Sequence, residues 1–148
     1  MLKSMKILVD ANVILDSILS REGFSDSADK IMDICAGTSV EGYVAAHSFS
    51  IIYYVMRKQY SDPDERRDIL LDLCDVINIA ELNRESVISS LKRKDFKDFE
   101  DCLQDECGYS QNVDYIVTNN IKDFSTSKTQ VILLDDFLEL EEIKSLLV

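Results

Sequence analysis

Proline, glycine and histidine are scarce: one Pro, four Gly and one His in 148 residues. So little Pro and Gly excludes a linker, a low-complexity tract or a repeat array, and leaves regular secondary structure to fill the core. The lone His47 cannot by itself build a histidine metal centre, and without a GxSxG elbow a Ser/His/Asp mechanism is disfavoured. Beside Ser48 at a helix start, His47 reads as a partly exposed or capping residue, with proton shuttling as its alternative role. Cys35, Cys74, Cys102 and Cys107 show no CxxC spacing and no zinc-like register, so they read as reduced, partly buried thiols.

Positive charge is also short, with 16 Lys and Arg against 28 Asp and Glu, a net charge of −12. That balance opposes a general attraction to nucleic acid or to an anionic membrane. A nucleic-acid partner would need cations bound by clustered carboxylates, or a small basic patch such as Lys92-Arg93-Lys94, Arg57-Lys58 or Arg66-Arg67. Each of these patches reads as a solvated helix face. No apolar run is long enough to span a bilayer and no basic start precedes an apolar segment, so a cytoplasmic protein is expected. With 46% hydrophobic residues and no break in composition, residues 1–148 are expected to form a single domain.

What the chain does contain is alternation. Ile7-Leu8-Val9 is a continuous apolar run, as in a strand covered on both faces, and it ends in Asp10. Asn12 then reads as the cap of a helix through Val13, Ile14 and Ile18. Ala28, Ile31, Met32 and Cys35 have the i, i+3, i+4, i+7 spacing of a helix over Ser25 to Cys35, closed by Gly37. Gly42 to Ala46 predicts a second strand, followed by a helix over Phe49, Ile52, Tyr53 and Met56 that ends at Arg57-Lys58. Asp62-Pro63 predicts a helix start, and β-branched Val76 to Ala80 a third strand. A helix with Val87, Ile88 and Leu91 inward comes next, then one over Asp98 to Gln111 with Phe99, Cys102 and Leu103 on one side. Tyr115 to Val117 predicts a fourth strand and Val131 to Leu134 a fifth, with Asp135-Asp136 capping a terminal helix. Such alternation implies βαβ crossovers, an α/β fold with a central five-stranded, mostly parallel sheet and helices on both faces.

Acids and amides recur just beyond the strands of this pattern: Asp10, the Asp98/Asp101 pair, and Asn119-Asn120 with Asp123. Open α/β sheets bind ligands at that edge. Positions three apart share a helix face, so Asp98 and Asp101 point together, with Asp105 one turn on. Clustered carboxylates repel unless protonated or neutralised, and Mg²⁺ or Mn²⁺ prefers such oxygen ligands. A metal site of this kind can activate water against a phosphodiester without a histidine or cysteine nucleophile. The same Asp98/Asp101 spacing also describes an N-cap with an acid in the first turn, and Asn12 and Asn120 are good caps as well. Asp10 is the acid for which no local structural role suggests itself.

On three segments, Leu8 to Asp16, Lys97-Asp98-Phe99-Glu100-Asp101-Cys102-Leu103-Gln104, and Ile116-Val117-Thr118-Asn119-Asn120-Ile121-Lys122-Asp123-Phe124, the chain resembles PIN-domain proteins, in particular the VapC-type toxin ribonucleases. The resemblance spans nearly the whole chain. It implies a PIN-like three-layer α/β/α fold, a Mg²⁺- or Mn²⁺-dependent site and endonucleolytic cleavage of RNA. By the same likeness, Asp10 matches the first family acid, Asp101 the acid opening the later helix, and Asn120 the position after the strand-end Thr that is Asp or Asn in relatives. Asp98, Glu100 and Asp123 match acids common in this branch, Asp98 ranking first. An antitoxin partner and a homodimer are implied too. Relatives place a Glu early in the helix after the second strand, where this chain has Ile51 beside Ser50; Asp16 is the candidate replacement. A PIN domain that has lost catalysis and serves as a binding module is the alternative that this departure leaves open. A receiver-like phosphoacceptor is disfavoured, because the third strand runs into Glu81 and the fourth into Thr118-Asn119.

Overall fold

The computed structural model describes residues 4–147; Met1–Lys3 and Val148 of the expected domain lie outside the described residues. The strands are β1 (Met5–Val9), β2 (Val40–Ala45), β3 (Asn78–Ala80), β4 (Tyr115–Thr118) and β5 (Val131–Leu133). The helices are α1 (Ala11–Ile18), α2 (Ser25–Ala36), α3 (Ser48–Val55), α4 (Pro63–Val76), α5 (Arg84–Lys92), α6 (Phe99–Ser110), α7 (Leu134–Leu138) and α8 (Glu141–Lys144), with 3-10 turns at Met56–Lys58 and Ile121–Phe124.

Every pairing is parallel, and the strand order is β3-β2-β1-β4-β5. The first half of the chain builds outward from β1 to β3, and the second half restarts on the other side of β1. The order therefore reverses between β1 and β4, and the crevice beyond their carboxyl ends is where such sheets take a ligand. Asp10 and Thr118 end those two strands.

The sheet is covered on both faces because β1 alternates apolar side chains across two cores. Ile7 and Val9 pack with Val13, Ile14, Ile31, Ile52 and Phe137 on one side. Leu8 packs with Ile116, Cys102, Cys107, Phe96 and Phe124 on the other. Burying a continuous Ile-Leu-Val run on two faces fixes β1 at the centre of three layers. This is the α/β/α architecture the sequence predicts.

Several local expectations change. Asn12 lies inside α1, and Asp10 is the cap instead, its Oδ1 accepting from the Asn12 N–H at 3.3 Å. The third strand is shorter than expected because α4 runs on to Val76. On α5 the buried positions are Ser86 and Ser90 rather than the apolar stripe, with Cys102 Sγ of α6 donating to the Ser90 carbonyl at 3.8 Å, while Leu91 is 61% exposed. Phe99 is 47% exposed rather than packed beside Cys102. Asp135 and Asp136 sit in the first turn of α7, whose cap, Leu133, offers no side-chain acceptor. Gly37 closes α2 in an extended conformation, not a left-handed one. Cys35, Cys102 and Cys107 are buried free thiols and Cys74 is exposed. Among the described residues no helix is long and apolar enough to cross a membrane.

Candidate active site

Asp10 leaves β1 as a buried carboxylate. Its backbone N–H still donates to Val117 O of β4 at 3.0 Å, which ties its position to the strand pairing. Oδ2 accepts from Thr118 Oγ1 at 2.8 Å, and Thr118 Oγ1 in turn accepts from the Asn120 N–H at 3.0 Å. Oδ1 accepts from Gln104 Nε2 at 3.2 Å. Burial pushes the Asp10 carboxyl above its usual range, against the lowering effect of the Thr118, Gln104 and Asn12 hydrogen bonds.

The start of α6 brings the other acids. Asp98 caps the helix, its Oδ1 accepting from the Asp101 N–H at 3.0 Å, so the capping geometry that its spacing also allowed is realised. Carboxylate oxygens of Asp98, Glu100 and Asp101 lie within 4.8 Å of one another. Gln104, one turn along, is fully buried and donates from Nε2 to Asp101 Oδ1 at 3.2 Å and to Glu100 Oε2 at 3.4 Å. Asp10 and Asp101 therefore stand on either side of one amide nitrogen. Burial, and then the nearby Asp10, Glu100 and Asp98 carboxylates, push Asp101 up to about 8.

The remaining expected residues divide. Asn120 is at the same sheet edge, but its side chain donates to Asp123 at 2.8 Å, and both are exposed. Asp16 is buried with its oxygens committed elsewhere, to Arg21 NH1 at 3.2 Å and to Asn119 Nδ2 at 3.2 Å. Asp105 turns to Arg93, Ser127 and the Lys128 N–H instead of joining Asp101. The Lys92-Arg93-Lys94 patch is accordingly not a plain solvated face: the Arg93 side chain is only 12% exposed.

Four residues with site contacts were not assigned there from the sequence: Gln104, Thr118, His47 and Ser48. Gln104 carried a signal, since it follows Asp101 by three positions on one helix and so shares its face. Thr118 carried one as the residue ending a buried strand beside β1. His47 is partly exposed and sits at the N-cap position of α3 without a side-chain cap hydrogen bond; its Nε2 lies 3.2 Å from Glu100 O and 3.3 Å from Glu100 Oε1, with Ser48 Oγ at 3.5 Å from the same carboxylate oxygen. The start of α3 thus faces the site through His47 and Ser48, and the nearby carboxylate comes from Glu100 across on α6. Ile51 offers no polar atom there.

The donors gathered here are carboxylate and amide groups, with no thiolate among them, a set suited to a hard divalent cation such as Mg²⁺ or Mn²⁺. The raised Asp10 and Asp101 carboxyls are the mark of like charges crowded in a desolvated place, and such groups concentrate at functional sites.

Comparison with known proteins gives the same reading of the fold. A toxin-antitoxin complex from Klebsiella pneumoniae is similar at a TM-score of 0.65, with 15% identity over 86% of this chain and 97% of that one. VapBC2 from Rickettsia felis, bound to a promoter DNA fragment, is similar at 0.64, with 17% identity over 87% and 98% of the two chains. A Mycobacterium tuberculosis VapC toxin described as cleaving the sarcin-ricin loop follows at 0.62, with 11% identity over 81% and 93%. At these identities the likeness is one of fold alone. No curated protein matches. The family model described as "PIN domain" matches residues 6–122, most of the chain, so this chain belongs to the PIN-domain family.

Proposed function

We propose that this PIN domain is a metal-dependent endoribonuclease of the toxin type, working as a single domain over residues 1–148. The observation that carries the reading is the pairing of Asp10 and Asp101: two buried carboxylates from different elements meet at the topological switch point, and the donor they share is a neutral amide, Gln104 Nε2. Asp10 and Asp101 would hold the ion, with Asp98, Glu100 and Asn120 completing or orienting its surroundings. A bound Mg²⁺ or Mn²⁺ supplies an acidified water and positive charge beside a phosphodiester. The chain's own part is orientation. Thr118 and Gln104 fix the two oxygens of Asp10, the Asp98 cap fixes the start of α6, and His47 with Ser48 holds Glu100 toward the acids.

The net charge of −12 supports this arrangement, since the protein as a whole repels RNA and a cation bound among the acids would offset that repulsion locally. The solved complexes of toxin with antitoxin support an antitoxin protein as partner. A homodimer and a cytoplasmic location complete the proposal.

The test is Mn²⁺-dependent cleavage of a mixed RNA pool by the purified protein, with Asp10→Asn as control. Loss of one ligand should lower cleavage by about a hundredfold or more. Equal cutting by both proteins would sink the assignment. RNA binding without cutting by the metal-loaded wild type would favour a binding module that has lost catalysis.

A further inference from the structure

Gln104 is a fully buried amide facing a cluster of acids, and its orientation is set by its other end. The Ala11 N–H at the start of α1 donates to Gln104 Oε1 at 3.1 Å. A backbone N–H can only donate, so the amide oxygen must face Ala11 and the NH₂ group must face the carboxylates. The reversed amide would set two donors against each other at Ala11 and an oxygen against three carboxylates. The NH₂ group has two hydrogens for three acceptors: Asp10 Oδ1 at 3.2 Å, Asp101 Oδ1 at 3.2 Å and Glu100 Oε2 at 3.4 Å. It therefore gathers oxygens from two places in the chain, Asp10 between β1 and α1 and the first turn of α6, without adding a charge of its own.

From this we infer that Gln104 is a positioning residue which assembles the metal ligands before the ion arrives, and so sets the affinity of the site for its cation. The inference rests on the metal-dependent reading above. In the ionised form that takes a cation, Asp10, Glu100 and Asp101 repel one another, and without a donor between them the ion must itself hold them together against that repulsion. With Gln104 in place, part of that work is already done in the metal-free fold. Removing such a supporting hydrogen bond costs roughly tenfold to a hundredfold in metal affinity. Once the ion is bound it supplies the attraction directly, so the loss should appear in affinity and vanish at saturation.

The experiment is a Mn²⁺ titration of the full chain followed by electron paramagnetic resonance, comparing wild type with Gln104→Leu and Gln104→Met. Both variants remove the donor, and the two shapes guard against one of them misfolding; circular dichroism identifies the folded one. The expected result is a Kd for Mn²⁺ weakened by about tenfold or more, with kcat on RNA returning to the wild-type value at saturating Mn²⁺. An unchanged Kd in a folded variant overturns the inference, and so does a kcat deficit that saturating Mn²⁺ leaves in place. Wild-type protein that binds no Mn²⁺, or Asp10→Asn protein that binds it as tightly as wild type, overturns the metal reading itself. Wild-type binding matched by Gln104→Leu overturns only the role of Gln104.

Discussion

Helix α6 buries Asp101 near its start and Asp105 with Glu106 about one turn further on, and the partners that meet these acids differ in kind. Asp101 near its start meets Asp10, Glu100 and Asp98, and the neutral amide of Gln104 donates to Asp101, Asp10 and Glu100. Asp105 and Glu106 further along meet Arg93 NH1 at 2.7 and 3.1 Å, while Lys128 Nζ reaches Glu106 Oε2 at 2.9 Å. The consequences run in opposite directions. Asp101 is pushed up to about 8 by burial and its acidic neighbours. Burial also works to raise Glu106, but Ser89, Lys128 and Arg93 outweigh it and hold that carboxyl below its usual range. Burial of an acid therefore says little about function. The informative question is whether the fold brings its own cation, and only the first group is left to find one.

If that distinction is right, removing the built-in cation should be the most damaging change. Arg93→Met leaves Asp105 and Glu106 buried with half their compensation gone, and frees the loop whose Thr126 carbonyl Arg93 NH2 holds at 2.8 Å. Stranding a buried charge in this way costs about 3 kcal/mol or more, measurable by urea unfolding. Mn²⁺ affinity should be unchanged in the same variant. A large loss of metal binding there would mean that the two groups act as one.

The first group should respond with the other sign. Asp101 is raised in the fold from an ordinary 3.8 to about 8, so in that window the folded chain holds a proton that the unfolded chain has released. Metal-free protein should then lose stability as pH rises from about 4 to about 8, because the native state binds more protons than the unfolded one. Asp101→Asn should flatten that alkaline decline in Tm, and Mn²⁺ should offset it in the wild type by binding the deprotonated site. Glu106, held low, contributes in the opposite sense: its stabilisation is present above the ordinary 4.5 and is lost as pH falls. A wild-type Tm that rises steadily to pH 9 in chelator would contradict the crowding at Asp101.

How much of this was legible in the sequence follows from the range of the forces involved. The sheet was legible because Ile7-Leu8-Val9 and Tyr115-Ile116-Val117 are short, local and apolar, and local pattern decides burial. Asp10, Asp98 and Asp101 were visible as acids placed where strands end and helices begin. Their neutralisation was not, because it depends on contacts far apart in the chain: Gln104 to Asp10, Thr118 to Asp10, and His47 to Glu100. The capping role of Asp10 escaped because a cap was sought at Asn12, the residue whose N–H Asp10 receives. Leu91 and Ser90 traded places for a similar reason: close approach of α5 to α6 favours small side chains over an apolar stripe, and only the packing reveals it.

The smallest effect belongs to Lys128, and it tests whether burial or mere pairing decides the strength of the second group. Lys128 reaches both oxygens of Glu106, at 3.1 and 2.9 Å, and its ammonium lies 5.0 Å from the centre of the Tyr109 ring. Yet its side chain is 36% exposed, against 12% for Arg93. Water and salt screen an ion pair in that position, and such pairs contribute at most about 1 kcal/mol. The backbone N–H of Lys128, which donates to Asp105 at 3.1 Å, survives any side-chain change. Lys128→Met should therefore cost no more than about 1 kcal/mol in urea unfolding, and less still at high salt. Arg93→Met should stay costly under both conditions, because Arg93 is the buried cation that Asp105 and Glu106 share, whereas Lys128→Met leaves Arg93 on both acids. Equal costs for the two substitutions would show that desolvation is not what separates a structural acid pair from one left open for a cation.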